Sequence, residues 1–317
     1  MTDLVLTRHN ELIDPLVRVW GWEIPVYLFL GGWVAGMMII VGYFLLRGRH
    51  REETCVCSVL PWLSVIILSL GMLALFLDLE HKRYVWRLYT TFQVTSPMSW
   101  GAWILLLVYP ALVAVFILHP PEILRGIWTG FDDLSTRFGE PRFVPVIAAT
   151  NIVLGVSLGI YTGILLSALG ARPFWNSAIL GPLFLVSGLS TAAAFTHLVA
   201  RRREERELLA RSDNVFLVIE LFVLGLLLIG LLSSSQAQVA AARLVLGGPF
   251  TGVFWVLVVG AGIVIPLVIQ SLAVSHRIKH TPLGPLLVMA GGLALRFVVV
   301  AAGQVSGWAK SFDAQMR

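Results

Sequence analysis

The chain has 317 residues, 57% of them hydrophobic and 13% charged, with a mean hydropathy of +0.85 and a formal net charge of +5. Soluble domains carry about 25% charged residues, so this composition excludes a soluble globular enzyme and marks an integral membrane protein. The positive charge falls in short loops, the pattern of membrane topology rather than of nucleic-acid binding.

Residues 1–22 hold Asp3, Arg8, Glu11, Asp14 and Arg18. They lack an apolar core and a small-residue cleavage site, so they do not read as a signal peptide. They read as an interfacial segment that ends with Trp20 and Trp22 at headgroup level. A span of about 30 Å takes roughly 20 apolar residues. Eight runs qualify: 24–46, 56–79, 98–118, 143–169, 177–199, 214–232, 249–272 and 282–302. The fold class is therefore an all-α membrane protein, one domain of two four-helix halves, 23–169 and 177–302, with a tail over 303–317. The loop 119–142 has room for a short interfacial helix, and 200–213, "RRREERELLARSD", reads as a solvated basic connector. Cys55 and Cys57 are too few for a disulfide framework and too close for a metal site, so we read them as incidental.

An even number of spans puts both termini on one side. Loops after spans one, three, five and seven hold 13 Lys and Arg residues, against 9 in the termini and remaining loops. The positive-inside rule then places both termini outside. A faint echo links "YLFLGGWVAG" (27–36) with "PLFLVSGLSTAA" (182–193), both suited to close helix packing.

Ionisable groups inside a bilayer are costly and tend to serve function. Arg296 sits in "GGLALRFVVVAAGQ", about 21 Å along the last span at 1.5 Å per residue. Tyr161 is expected at the same depth, with Asp78, Glu23 and Gln304 at or near the outer helix ends. These groups are expected to face one shared ligand pocket, with Asp78 as the carboxylate partner of Arg296. Closer to the cytoplasm, Glu220 and His197, with Ser187, Ser190 and Thr191, form a second polar set suited to proton transfer. The bland alternatives are a hydrogen bond between helices for Glu220 and an interfacial position for His197. Paired histidines that could ligate haem on facing helices are missing; only His197, and His119 at an end, come near a span.

The stretch "LDLEHKRYVWRLYTTFQVTSPMSWGAWILL" (77–106) is similar to one in the NrfD/PsrC family, membrane subunits of polysulfide, nitrite, tetrathionate and related respiratory oxidoreductases. Four further stretches agree in order and spacing: "WGWEIPVYLFLGGWVAG", "YTGILLSALGARPFWNS", "PLFLVSGLSTAAA" and "LRFVVVAAGQ". The resemblance implies a quinone- or quinol-reacting subunit of a bacterial or archaeal cytoplasmic membrane, using menaquinone or ubiquinone. It implies no haem or iron–sulfur cluster in this chain. The partners it implies are an iron–sulfur subunit with [4Fe–4S] clusters and a catalytic subunit, either a molybdopterin enzyme or a multihaem cytochrome. Tyr161 falls on the family's quinone-contacting tyrosine. Asp78 and the Ser96–Trp100 loop fall on the region that faces the docked clusters. Glu220 matches an acidic residue of some relatives. Gly21 stands where part of the family has a histidine, and Glu23 is the candidate replacement. Composition alone leaves open a secondary transporter or a purely structural anchor.

Overall fold

The computed structural model describes residues 20–48, 56–118, 130–275, 277 and 281–307. Most of the interfacial N-terminal segment, the tail from residue 308, Cys55 and His119 lie outside them. Among the described residues eight helices are long and apolar enough to cross a membrane. We call them α1 (Glu23–Leu46), α2 (Leu60–Asp78), α3 (Pro97–Leu118), α4 (Val144–Ser167), α5 (Leu180–Val199), α6 (Arg203–Leu232), α7 (Val253–Val274) and α8 (Leu283–Val305). In hydrocarbon the backbone must satisfy its own hydrogen bonds, and a helix does so within one segment. Proline opens α2, α3 and α4, where the first N–H groups have no intrahelical partner to lose.

Two apolar cores form: one mainly among α1–α4 but joined by Ala192 and Ala193 of α5 and Leu209 of α6, the other mainly among α5–α8 but joined by Ile24, Tyr27 and Leu28 of α1 and Leu166 of α4. The seam between them is made by α1, α4, α5 and α8. Lipid provides no hydrophobic drive for helix association, so close packing depends on small side chains. A Cβ on Gly36 would lie 2.5 Å from the Gly188 carbonyl oxygen and 2.6 Å from the Ala192 Cβ. A Cβ on Gly188 would overlap the Gly32 carbonyl. The two stretches that echo each other in sequence are thus the two that cross at the seam.

Three features depart from the sequence expectation. The connector over 200–213 is mostly helix: α6 begins at Arg203, with Glu205, Leu209, Ala210 and Asp213 buried. Its charges mask an inward stripe at helical spacing. An additional helix, Gln236–Leu246, lies between α6 and α7, started by a capping box in which Ser235 and Gln238 satisfy each other's backbone. Finally, α7 is a π-helix over Val253–Val264 before it tightens at Ile265. Pro266 provides the physical reason. Its ring would crowd the carbonyl four residues back, and wider turns relieve that. Gly262 of this wide stretch meets Gly291 of α8 backbone to backbone. The expected interfacial helix in the third loop is present as Gly130–Phe138.

Candidate functional site

Two polar regions emerge, one between α3 and α4 and one among α5–α8 where they meet α1. The first surrounds Tyr161. Its side chain leaves α4 toward the start of α3 and is 5% exposed. It lines a cavity of about 500 Å³ between α3 and α4, together with Val94, Thr95, Pro97, Trp100, Ile104, Val156, Ser157, Ile160 and Ile164. The lining is mostly apolar, and Trp100 and Ile164 are exposed at its edge. Ser157 turns its hydroxyl back to the Val153 carbonyl, 2.8 Å away. Among the described residues no hydrogen bond reaches the Tyr161 hydroxyl, and the buried Tyr27 phenol lies near enough to interact with it.

Trp100 thus lines the cavity, while its indole N–H donates to the Val94 carbonyl at 2.7 Å. Ser96 does not line it. Its carbonyl accepts from the Ser99 and Trp100 N–H groups at the head of α3, so it shapes the turn. The loop that brings Val94 and Thr95 to the cavity carries Lys82, Arg83 and Arg87 among exposed Tyr84, Trp86 and Phe92. The Arg87 guanidinium stacks over the Tyr84 ring at 4.7 Å. Asp78 ends α2 and Glu23 opens α1; both are partly exposed, and they are near enough to interact as like charges. The Glu23 carboxylate folds back over Gly21, in the space a side chain there would fill.

Gln304 belongs to neither region. Its amide oxygen accepts from the Trp20 N–H and its amide nitrogen donates to the Trp20 carbonyl, each at 3.0 Å. Arg172 donates to the Gln304 and Ser306 carbonyls at 2.9 and 3.1 Å. The Trp175 indole donates to the Val299 carbonyl at 2.8 Å and its ring lies 5.1 Å from Trp20. This knot fastens the N-terminal approach and the α4–α5 loop to the end of α8. Gln304 was expected beside a ligand; its amide is spent on backbone.

The second region corrects the expected company of Arg296. The guanidinium is fully buried but does not meet Asp78. It donates to Ser187 Oγ, to the Gly292 carbonyl at 3.1 Å and to the Phe184 carbonyl at 3.1 Å, with the Phe184 ring 4.9 Å from its Cζ. Glu220 is the acid near enough to interact with it, and Ser187 lies close to Glu220 as well. Ser187 accepts from the cation. Arg296 therefore keeps company with α5, α6 and Gly32 of α1 rather than with Asp78 or the Tyr161 cavity. One-dimensional depth had merged them, because depth along a helix says nothing about azimuth.

Seven residues before Glu220, on the same face of α6, lies Asp213, 1% exposed. Its carboxylate accepts from Ser190 Oγ at 2.5 Å and from Gln270 Nε2 of α7 at 2.7 Å. Ser187 and Ser190 are three residues apart on α5, so serines of one helix answer carboxylates of the next in two successive steps. His197 continues that helix, buried at 6% exposure. Asp213 was missed because it ended a charged stretch read as solvated. The available signal was its seven-residue spacing from Glu220.

Residues 6–306 match the family model described as polysulphide reductase, NrfD. The chain is 32% identical over 310 residues to a polysulfide reductase component of Wolinella succinogenes, covering 90% of this chain and 94% of that one. It is 32% identical over 311 residues to protein NrfD of Escherichia coli, covering 91% and 96%. It is 21% identical over 318 residues to a selenate reductase subunit of Mesobacillus selenatarsenatis, covering 90% and 74%. A match across nearly the whole chain, on eight apolar helices, means that this multi-pass membrane protein belongs to the NrfD family.

Proposed function

We propose that this chain is the quinone-reacting membrane subunit of a respiratory oxidoreductase complex in a bacterial or archaeal cytoplasmic membrane. The observation that carries the reading is Tyr161: a buried phenol, reached by no hydrogen bond among the described residues, at the wall of an apolar cavity of about 500 Å³. Ligand pockets of this kind are mostly apolar with a few placed polar groups. A planar ring with a carbonyl oxygen suits this one, the ring against Ile104, Ile160 and Trp100 and the oxygen toward Tyr161. Quinol and quinone supply the two-electron chemistry. Tyr161 orients the carbonyl or hydroxyl oxygen by a hydrogen bond. Glu23 and Asp78, at the outer helix ends, exchange protons with the outside. The aromatic-basic loop from Lys82 to Val94 is the face for an iron–sulfur partner, which connects to a catalytic subunit.

A proton path through the second bundle is favoured by a specific arrangement: Asp213 with Ser190, then Glu220 with Ser187, both buried. Buried acids linked by hydroxyls can pass protons. His197 would supply the cytoplasmic end, and Arg296 fixes Glu220 at the inner one.

The test is quinol oxidation and quinone reduction by the assembled complex carrying Tyr161→Phe or Asp78→Asn. Loss of one positioned proton-transfer or hydrogen-bonding group costs about 10²-fold or more in rate. Near-normal turnover in both variants, with the complex intact, would discard the site and leave a structural anchor. Purification without a stoichiometric iron–sulfur subunit would favour a transporter instead.

A further inference from the structure

The stretch Thr95–Gly101 ends on a glycine whose part in the site is still unassigned. Gly101 is buried in α3, just beyond its first turn. A Cβ built there would overlap Cζ and Oη of Tyr161. The phenol therefore rests directly on the α3 backbone, in space that any other residue would fill. That backbone is itself pinned. The Gln93 N–H donates to Ser99 Oγ at 3.0 Å, and the Ser99 hydroxyl donates to the Thr91 carbonyl at 3.3 Å. The Trp100 indole clamps Val94 at 2.7 Å. The loop and the start of α3 thus form one unit, with a flat seat at Gly101. Shape holds the Tyr161 ring, and its hydroxyl keeps its hydrogen-bonding capacity.

We infer that Gly101 is a positioning residue for Tyr161: the missing side chain seats the phenol against α3 and keeps it out of the adjoining cavity. This rests on reading that cavity as the quinone site. The consequence of one added methyl follows from the packing. The ring is backed by α3 and borders the cavity. A Cβ at position 101 pushes it into the cavity, where it loses its register and occupies the ligand's space. The helix itself favours alanine over glycine.

The experiment compares Gly101→Ala, Tyr161→Leu and the double variant in the assembled complex. A soluble quinol analogue is the probe, with turnover, KM and complex stoichiometry measured. Gly101→Ala is expected to lower turnover on the order of tenfold to a hundredfold, the scale of an ångström's misplacement, and to raise KM. The double variant should be no slower than Tyr161→Leu, since the new methyl then meets no ring. Full turnover in an assembled Gly101→Ala complex, or losses that multiply in the double variant, overturns the inference. If Gly101→Ala fails to assemble, recovery of assembly in the double variant supports the seat, and failure of both overturns it. Wild-type turnover in Tyr161→Leu removes the quinone reading and the seat with it. An impaired Tyr161→Leu beside an unimpaired Gly101→Ala removes the seat alone.

Discussion

Replacing Arg296 by methionine removes a guanidinium that is fully buried and donates to Ser187, Gly292 and Phe184. Glu220 remains, 4% exposed, still beside Ser187 but without its cation. Removing one of two opposite charges buried near each other costs about 3–5 kcal/mol, most of it from the stranded charge. At about 2–4 °C per kcal/mol for a chain of comparable size, Tm falls on the order of 10 °C. Glu220→Gln strands the opposite charge and falls by a similar amount. The variant carrying both changes strands neither, so its loss is smaller than the sum of the two by about 1–3 kcal/mol. Tryptophan-fluorescence melting of the detergent-solubilised chain measures all three. A single variant within about 1 °C of wild type, or strict additivity in the double, would refute the idea that these two charges hold each other.

Asp213→Asn keeps the side chain's shape, but its single oxygen can serve only one of Ser190 and Gln270. Proton uptake during turnover in proteoliposomes should slow at least tenfold with quinol binding unchanged; an unaltered proton-to-electron ratio would refute a role in proton movement. Gln304→Ala removes two hydrogen bonds to Trp20, worth about 1 kcal/mol each. It should lower Tm by several degrees and leave the KM for quinol alone, whereas a KM effect without a Tm effect would restore it as a ligand contact. Gly36→Val puts a branched side chain onto the Gly188 carbonyl and Ala192 at the α1–α5 crossing. Overpacking of this kind costs about 1–3 kcal/mol, and a rigid backbone contact belongs at the upper end; a stability scan showing no loss would mean the bundles can separate.

The site was legible in parts and for identifiable reasons. Tyr161 stood out because a phenol inside an apolar span is costly to leave there without purpose. Trp100 stood out through the stretch that contains it. Arg296 and Glu220 were each recognisable as buried charges, yet the sequence paired Arg296 with Asp78. Both carboxylates were available, and helical rise fixes depth but not which neighbour a side chain faces. Asp213 was hidden by composition: a run of charges looked solvated, while its helical spacing turned Glu205, Asp213 and Glu220 inward.

Hydropathy by itself determined that the chain spans a membrane eight times with helices, because a continuous apolar run of about 20 residues satisfies its backbone in hydrocarbon within one segment only as a helix. It also fixed which segments do so, to within a few residues except at α6. Only the tertiary structure decided which helices face one another. That choice split one expected polar cluster into a cavity beside Tyr161 and a charge pair at Glu220 and Arg296. It rests on glycine contacts at Gly32, Gly36, Gly101 and Gly188, where absent side chains let backbones and rings approach. An absent side chain leaves no mark in a hydropathy profile, so its effect becomes visible only when the surface it admits is in place.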